Sequence, residues 1–497
     1  MQNLGYTYLI EKYNLDVCRP HRSAFVDSKS SEKVCGDGEI SIYYPLARYS
    51  LGEEWQNHLR FALKHEGVNL EILKALFQCL SPHEIEDLVR LHPVSGYSRR
   101  LWFLFEFLTG TRLNLQDVQS GNYVQLLNPK LQLAFSPSDS IRVRRYRIEN
   151  NLPGTSQFCP MVLLPNKGLQ AQCEQLKERA KNLIQKFPND LIIRSIQYLY
   201  IKETKSSYAI ERETPDQKRQ DAFITTLRTM AGISLSKERF VELQNQIVDS
   251  RYAQVSWRTT QNYVGQTLTP TEERIHFISP KPENIGELMD SYLKAVDLWL
   301  RSDIDAVTIA AVLSFAFVFL HPFDDGNGRI HRFLIHYFLK RKSFLQTEIV
   351  LPISAVLLKD VSLYDRLLEY FSRYLMPHLK YNMNAQGEIS VLSDSADFYR
   401  YIDFTWIVQQ FQEIVKRTID TEWRAELDYL YSYDQIRRGM REIVDLPEVQ
   451  ANRLIRFVQQ NGGRLSVRKR SFFAELTDDE ISRLEEVIRK YTEGKDV

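Results

Sequence analysis

The chain has 497 residues, which is too long for one ordinary hydrophobic core, so we expect two or three domains. Apolar residues make up 43% and charged residues 26%, a balance typical of globular proteins and not of disordered or collagen-like ones. The formal net charge is only +1, so the whole chain lacks the basic excess typical of proteins that bind nucleic acid or anionic membranes; a local basic patch is compatible with this value.

Helical periodicity dominates the chain, and we predict a mainly α protein. Apolar residues recur at spacings of three and four over 54–79, 84–90, 168–186, 190–212, 284–301, 304–319, 328–341 and 361–374. Strand signals are few, namely the alternating run at 141–148 and the short run at 274–278, and both predict hairpin or edge strands.

Two segments rich in turn residues predict the domain boundaries, one at 151–168 and one at 376–397. We expect an N-terminal α+β domain over 1–160, a central helical domain over 161–380 and a C-terminal helical module over 381–497. The N-terminal domain carries no chemical motif, so target selection or packing is its expected role.

The cysteines and the apolar segments bear on location. The cysteines lack the Cys-x-x-Cys spacing, and their odd number without a secretory leader predicts reduced thiols and a cytoplasmic protein with no membrane association. They are Cys18, Cys35, Cys79, Cys159 and Cys173.

The most apolar window, 306–320, is shorter than the roughly 20 residues that cross a bilayer. It predicts a buried helix that presents the next residue, His321, from a rigid support.

The segment after this helix reads HPFDDGNGRIHR over 321–332 and leads into an amphipathic helix. Its glycines permit left-handed backbone, so the loop can direct several N–H groups into one concavity at a helix N-terminus. Such a concavity, called the nest below, favours anions.

Charged side chains around the nest point to a polyphosphate. Arg329 and Arg332 lie on one face of the first helical turn, where they oppose the helix dipole unless an anion is bound. Asp325 supplies a hard oxygen ligand of the kind that holds Mg²⁺ beside substrate phosphates. His321 is suited to take a proton from an attacking hydroxyl.

Two alternatives compete with a phosphate site at this point. The segment could be a helix-capping loop with solvated arginines, or His321, His331 and His336 could bind a transition metal. The metal alternative is the weaker one, because His331 and His336 are five residues apart and do not share a helical face.

The run HPFDDGNGRIHR resembles the signature of the Fic family, and every position that the signature specifies is matched. The resemblance implies a Fic helical core with a short β-hairpin flap. It also implies a protein adenylyltransferase, which transfers AMP from ATP to a Ser, Thr or Tyr hydroxyl of a target protein.

The resemblance implies a role for each matched position. His321 is the implied base, Asp325 the Mg²⁺ ligand, and Phe323 an apolar residue that holds the loop. The residues expected to bind the phosphates of ATP are Gly326, Asn327, Gly328, Arg329 and Arg332.

Upstream, the run RIHFISPKP resembles the Fic flap, which holds the target backbone by strand addition. The implied target-binding residues are Ile275, His276, Phe277 and Ile278. The alternative is an ordinary buried hairpin.

The run KSSYAIERE resembles the inhibitory helix of many Fic proteins, with Ser207 and Glu211 at the family spacing inside the predicted helix 190–212. The family has Gly or Asn where this chain has Arg212. Glu211 is expected to contact Arg332 and compete with the γ-phosphate. The alternatives are a solvated helical glutamate, and a carboxylate that positions water so that the site removes AMP from a modified protein.

In the C-terminal module, two amphipathic helices flank a Gly-Gly turn and a basic run, which resembles a winged-helix module. The residues that could contact DNA are Arg468, Lys469, Arg470, Phe472 and Phe473. A DNA-binding regulatory protein with a Fic domain is therefore an alternative function, while a solvated basic turn is the simpler interpretation. We also expect that the chain can associate with copies of itself as a homo-oligomer.

Overall fold

The computed structural model describes residues 2–34, 39–164, 168–269, 272–345, 348–384 and 386–493. The chain is mainly helical, as predicted. The helices are α1 (Gly5–Tyr13), α2 (Trp55–His65), α3 (Leu70–Cys79), α4 (Pro82–Leu91), α5 (Gly96–Thr109), α6 (Leu169–Ile184), α7 (Asn189–Ile210), α8 (Gln217–Thr229), α9 (Lys237–Ile247), α10 (Pro282–Arg301), α11 (Ala306–Leu320), α12 (Asn327–Arg341), α13 (Ile353–Lys359), α14 (Val361–Leu375), α15 (Ala396–Arg400), α16 (Thr405–Arg417), α17 (Arg424–Arg441), α18 (Glu448–Gln460) and α19 (Asp478–Glu493).

The strands are short and form four small sheets. They are β1 (Gln2–Leu4), β2 (Arg22–Asp27), β3 (Ser31–Val34), β4 (Ile40–Pro45), β5 (Val124–Gln125), β6 (Ile141–Val143), β7 (Ile148–Asn150), β8 (Tyr263–Thr269), β9 (Glu272–Ile278), β10 (Tyr381–Met383) and β11 (Ile389–Val391). The N-terminal part holds the sheets β1-β2-β4-β3 and β5-β7-β6 together with α1–α5, which is the expected α+β mixture. Strands β8 and β9 form an antiparallel hairpin of their own.

Two predicted elements of the N-terminal part are divided in the structure. The predicted helix 54–79 is wrong as one element, because Gly67 adopts a left-handed φ of 94° and the Asn69 side chain caps the new helix α3. The predicted strand 141–148 is interrupted by a 3₁₀ turn and by Arg147, whose φ is 49°, so it becomes the hairpin of β6 and β7.

Helix α11 lies at the centre of the largest hydrophobic cluster, and all of its residues are buried. It packs along α12, and their connection is the segment with the Gly-Asn-Gly run. This arrangement confirms the predicted buried helix and places the segment 321–326 at the end of a rigid element.

The hydrophobic residues form three larger clusters along the chain. One lies in the N-terminal part, the central one continues through α16 as far as Leu430, and a third begins at Ile436. The boundaries expected near 160 and 380 stay predictions. No helix among the described residues is long and apolar enough to cross a membrane.

The last part of the predicted C-terminal module, residues 424–493, consists of α17, α18, α19 and a 3₁₀ turn at Val467–Phe473. These described residues contain no strand. Within the basic run, Arg470 bonds Asp478 and two backbone carbonyls, and Lys469 lies 3.9 Å from the Phe457 ring centroid. Two of the three basic side chains are therefore engaged within the module.

Candidate active site

The loop between α11 and α12 begins and ends with left-handed residues. His321 ends α11 with φ 49° and ψ 57°, and Gly326 precedes α12 with φ 93°. A Cβ atom at Gly326 would lie 2.8 Å from the Val248 side chain, so glycine is required there by both conformation and space. The first N–H groups of α12 have no partner within the helix, so they are available to an anion.

Asn327 braces this loop with its side chain. Its Oδ1 accepts from the Phe323 N–H at 3.1 Å, and its Nδ2 donates to the Phe323 carbonyl at 2.7 Å. The Phe323 ring is buried and packs against Trp257, with ring centroids 5.1 Å apart. The Asn327 side chain is thus occupied inside the loop, and only its backbone is left for the expected role at the phosphates.

The His321 ring is held in one orientation. Its Nδ1 lies 3.1 Å from the Val318 carbonyl, which favours the tautomer with the proton on Nδ1 and a lone pair on Nε2. Burial lowers the pKa of His321 to about 4, so the ring is neutral near pH 7. A neutral, oriented imidazole has the form that a general base requires.

Arg329 and Asp325 form an ion pair at the rim of the nest. Arg329 is buried and lies 2.8 Å from Asp325 and 2.9 Å from Glu213, so the alternative of solvated arginines is wrong for it. The Asp325 side chain is 42% exposed, and its Oδ1 also accepts from the Gly326 N–H at 2.6 Å. A partly exposed hard carboxylate beside an anion-binding nest fits Mg²⁺, which commonly takes one protein carboxylate and completes its shell with water and phosphate oxygens.

Arg332 is buried, and its guanidinium bonds three residues outside α12. Its Nε donates to Ser207 Oγ at 2.9 Å, its Nη1 to the Tyr364 hydroxyl at 3.2 Å, and its Nη2 to Glu211 Oε1 at 2.7 Å. Nη2 also donates to the Ser207 carbonyl at 2.8 Å. The structure therefore contains the contact between Glu211 and Arg332 that the sequence predicts.

The Glu211 carboxylate lies on the N-terminal turn of α12. A Cβ atom at Gly328 would be 2.3 Å from Glu211 Oε1, which places the carboxylate directly against the nest. Burial alone would raise the pKa of Glu211, but the charges of Arg332 and Arg329 and the hydrogen bond from Arg332 bring it below its ordinary value. Glu211 is thus an anion in the position where the nest is expected to bind phosphate, although its side chain is still 36% exposed.

The C-terminal half of α7 and α12 are held in register by contacts one helical turn apart. Glu203, one turn before Ser207, lies 2.7 Å from His336 Nε2, which is one turn after Arg332. Because these contacts recur every four residues on both helices, the position of Glu211 follows from the packing of the C-terminal half of α7 on α12.

The end of α7 explains the unusual Arg212. The helix ends at Ile210, so Glu211 lies at its C-terminal cap and the predicted end at 212 is two residues too long. Arg212 has a left-handed φ of 56°, which is the conformation that favours Gly or Asn. Arg212 therefore keeps the left-handed backbone conformation of the family pattern, but it places a residue with a Cβ atom and a long side chain there.

The predicted flap is a hairpin whose lower part belongs to the core. Phe277 and Ile278 of β9 are buried, and the Phe277 ring centroid lies 6.4 Å from that of His321. Ile275 and His276 are partly exposed. The side chains of Phe277 and Ile278 thus have a packing role, and Ile275 and His276 are the members of the predicted set that a target can reach.

The alternative transition-metal site is wrong for the described residues. They contain no group of three or more His, Cys, Asp or Glu side chains that could hold a metal ion. His331 packs edge-to-face against Phe315, with ring centroids 4.5 Å apart, and His336 bonds Glu203. The cysteines at 18, 79, 159 and 173 are free thiols, as predicted, while Cys35 lies outside the described residues.

Sequence reasoning missed several side chains around the nest. Glu213 pairs with Arg329, Tyr364 bonds Arg332, and Arg258 bonds the His321 carbonyl. Glu213 could have been found from the sequence, because it follows Glu211 by two residues. Tyr364 and Arg258 lie far from the segment 321–332 in the sequence.

Comparison with known proteins assigns this region to one family. Residues 234–339 match the profile of the Fic/DOC family. The chain is 32% identical over 149 residues to protein adenylyltransferase fic-1 of Caenorhabditis elegans, covering 28% of this chain and 25% of that protein. It is 30% identical over 100 residues to protein adenylyltransferase fic-1 of Caenorhabditis briggsae, covering 19% and 17%. The chain therefore spans a quarter or less of the length of these curated relatives.

Solved structures with Fic domains are also similar to the chain. A Fic domain containing signaling protein from Bacteroides thetaiotaomicron has a TM-score of 0.36 and 18% identity, over 52% of this chain and 97% of that one. A Fic family protein from Desulfovibrio desulfuricans has a TM-score of 0.34 and 14% identity, over 66% and 89%.

Proposed function

We propose that this chain, whose residues 234–339 match the Fic/DOC family, transfers AMP from ATP to a Ser, Thr or Tyr hydroxyl of a target protein. The observation that carries this proposal is a neutral His321 next to a glycine nest, with Arg329, Arg332 and Asp325 around it. Positioning and charge stabilisation dominate phosphoryl-type transfer, and these groups are suited to both.

In the proposed reaction, the target hydroxyl oxygen attacks the α-phosphorus of ATP. The bond between that phosphorus and the oxygen bridging to the β-phosphate breaks, and pyrophosphate leaves. The hydroxyl proton goes to Nε2 of His321, which is available because Nδ1 is bonded to Val318.

Arg332 and Arg329 would bind the phosphate oxygens, and the backbone N–H groups of Gly328 and its neighbours would line the nest. Asp325 would hold Mg²⁺, which supplies charge neutralisation at the polyphosphate when it is bound.

We also propose that Glu211 inhibits this reaction. Its carboxylate lies 2.7 Å from Arg332 and against Gly328, so a γ-phosphate and Glu211 would compete for the same guanidinium. A coupling of 1–3 kcal/mol between two such sites corresponds to about 5- to 150-fold in binding. We expect Glu211→Gly to raise AMP transfer within that range.

The test uses Mg²⁺ and ATP labelled on the α-phosphate or, separately, on the γ-phosphate. Incorporation from the α label that rises in Glu211→Gly and disappears in His321→Ala supports both proposals. Glu348→Gly is the matched control, since it removes an exposed carboxylate that pairs with Lys340 on the outside of the domain. Incorporation from the γ label would refute AMP transfer, and an unchanged rate in Glu211→Gly would refute the inhibition.

Removal of AMP from a modified protein is a second candidate, because Glu211 is a partly exposed anion at the same nest and could orient water. It predicts that Glu211→Gly loses the release of AMP from a labelled protein while it gains transfer. The homo-oligomer, the DNA contact and the identity of the target stay predictions.

A further inference from the structure

Arg258 lies in the segment between α9 and the flap, and its side chain is only 2% exposed. Its Nε donates to the His321 carbonyl at 2.8 Å, its Nη1 to the Thr260 carbonyl at 2.7 Å, and its Nη2 to the Pro280 carbonyl. Its backbone N–H donates to the Pro322 carbonyl at 2.8 Å. One buried residue therefore joins the catalytic loop to the segment that follows the flap strand β9.

All of these acceptors are neutral carbonyl groups. Burial lowers the pKa of Arg258 to about 10, since its charge is taken out of water and no carboxylate bonds it. A buried guanidinium that bonds only neutral carbonyls contributes little to the free energy of unfolding, because burying its charge costs free energy. Its three directed donor groups are instead suited to fixing distances between backbone segments.

The backbone that Arg258 holds is strained. His321 has a left-handed φ of 49°, which is uncommon for a residue with a side chain, and it precedes a proline, which restricts it further. Its N–H donates to the Phe317 carbonyl at 3.0 Å, so the helix holds one side of the residue. Arg258 holds the other side through the two carbonyls that follow.

We infer that Arg258 is a positioning residue that keeps His321 in its left-handed conformation and sets the distance between His321 and the flap. Pro280 lies two residues after the end of β9, and Phe277 of that strand lies beside the His321 ring. The same guanidinium therefore controls both the proposed base and the strand that is expected to hold the target. This inference rests on the proposed function of His321.

The experiment replaces Arg258 in a chain that already carries Glu211→Gly, so that transfer is measured without inhibition. Arg258→Gln should lower kcat by about 100-fold, the loss that a misplacement of about 1 Å causes in an oriented site. The KM for ATP should change by less than about threefold, because Arg258 contacts none of the groups that line the nest. The kcat of Arg258→Lys should lie between that of the parent chain and that of Arg258→Gln, since an ammonium cannot donate to three separated carbonyls at once.

Arg99 offers a matched control in the N-terminal part. It is 5% exposed, and its Nη1 also donates to backbone carbonyls, those of Asn122 at 2.8 Å and Arg147 at 3.3 Å. Arg99→Gln removes the same kind of buried contact far from the nest. It should lower the thermal unfolding temperature without lowering kcat.

Hydrogen exchange supplies a readout that does not depend on activity. In Arg258→Gln, exchange should become faster in the peptides that cover 318–325 and 272–281, while the rest of the chain keeps its rates. If Glu211→Gly transfers no AMP, the proposed function fails, and these peptides still test the position of the loop. The inference is overturned if kcat is unchanged, if Arg99→Gln lowers kcat equally, or if faster exchange spreads over the whole central cluster.

Discussion

Substitution of Arg212 tests how the C-terminal end of α7 positions the Glu211 carboxylate. Its N–H donates to the Ala209 carbonyl at 3.0 Å, and the Glu213 N–H donates to the Tyr208 carbonyl at 3.1 Å, which together form a Schellman helix end. Arg212 holds the left-handed position of this end, with φ 56°. Arg212→Gly keeps both bonds and removes the Cβ atom, so we expect the end of α7 to be stabilised.

The size of the effect follows from two opposing terms. The left-handed conformation costs a residue with a Cβ atom about 1–2 kcal/mol. Glycine loses about 0.5–1 kcal/mol more backbone entropy when it is ordered. Subtracting corresponding ends of these two ranges gives a net gain of about 0.5–1 kcal/mol, or about 2- to 5-fold in the equilibrium for opening this end.

Local hydrogen exchange is the appropriate assay, because it reports the opening of this helix end separately from the unfolding of the rest of the chain. The amides of 211–214 should exchange about 2- to 5-fold more slowly in Arg212→Gly. Arg212→Ala is the control, since it keeps the Cβ atom but removes the charge that acts on Asp365. Equal rates in the glycine and alanine variants would refute the reasoning.

The same change bears on the proposed inhibition. If opening of this end frees Arg332, basal AMP transfer should fall by about the same 2- to 5-fold in Arg212→Gly. With Glu211→Gly also present, Arg212→Gly should have no effect on the rate. A fall that persists in the double variant would show that Arg212 acts by another route.

Three further predictions concern polar groups in the loop and in the core. Asn327→Ala should destabilise the domain by about 1–3 kcal/mol, because the Phe323 N–H loses its partner while the Phe323 carbonyl keeps Asn262; urea unfolding measures this. Asp325→Asn should lower Mg²⁺-dependent AMP transfer more than about 100-fold at a constant unfolding temperature, since the amide oxygen can still accept from Gly326. Burial raises the pKa of Glu66 to about 8, so the native state retains its proton; stability is complete below the ordinary value of 4.5 and falls as the pH rises through 8. Glu66→Gln should remove that loss, with a gain over wild type that grows between pH 5 and pH 9 in urea unfolding.

Each of these has an outcome that contradicts it. An unfolding free energy unchanged by Asn327→Ala would mean that the loop does not depend on its amide. Full activity of Asp325→Asn at low Mg²⁺ would remove Asp325 as the metal ligand. A gain in Glu66→Gln that is the same at pH 5 and pH 9 would show that Glu66 keeps an ordinary pKa.

The residue pattern alone was sufficient to predict the buried helix α11 and the glycine loop at 321–332. These features depend on short-range patterns, namely an uninterrupted apolar run and glycines that permit left-handed backbone. The resemblance to the Fic family added two expectations that spacing cannot specify, AMP as the transferred group and Glu211 as the partner of Arg332.

Only the tertiary structure showed what holds those residues in place. Asn327 was expected at the phosphates, but it bonds Phe323 because the closing of the loop brings their polar atoms within 2.7–3.1 Å. Arg258 precedes His321 by 63 residues, and its bonds to the loop exist only because α10 and α11 bring the chain back beside Arg258. Local periodicity determined where the helices and the nest form, whereas contacts between distant segments determined which polar groups were left free to act on a substrate.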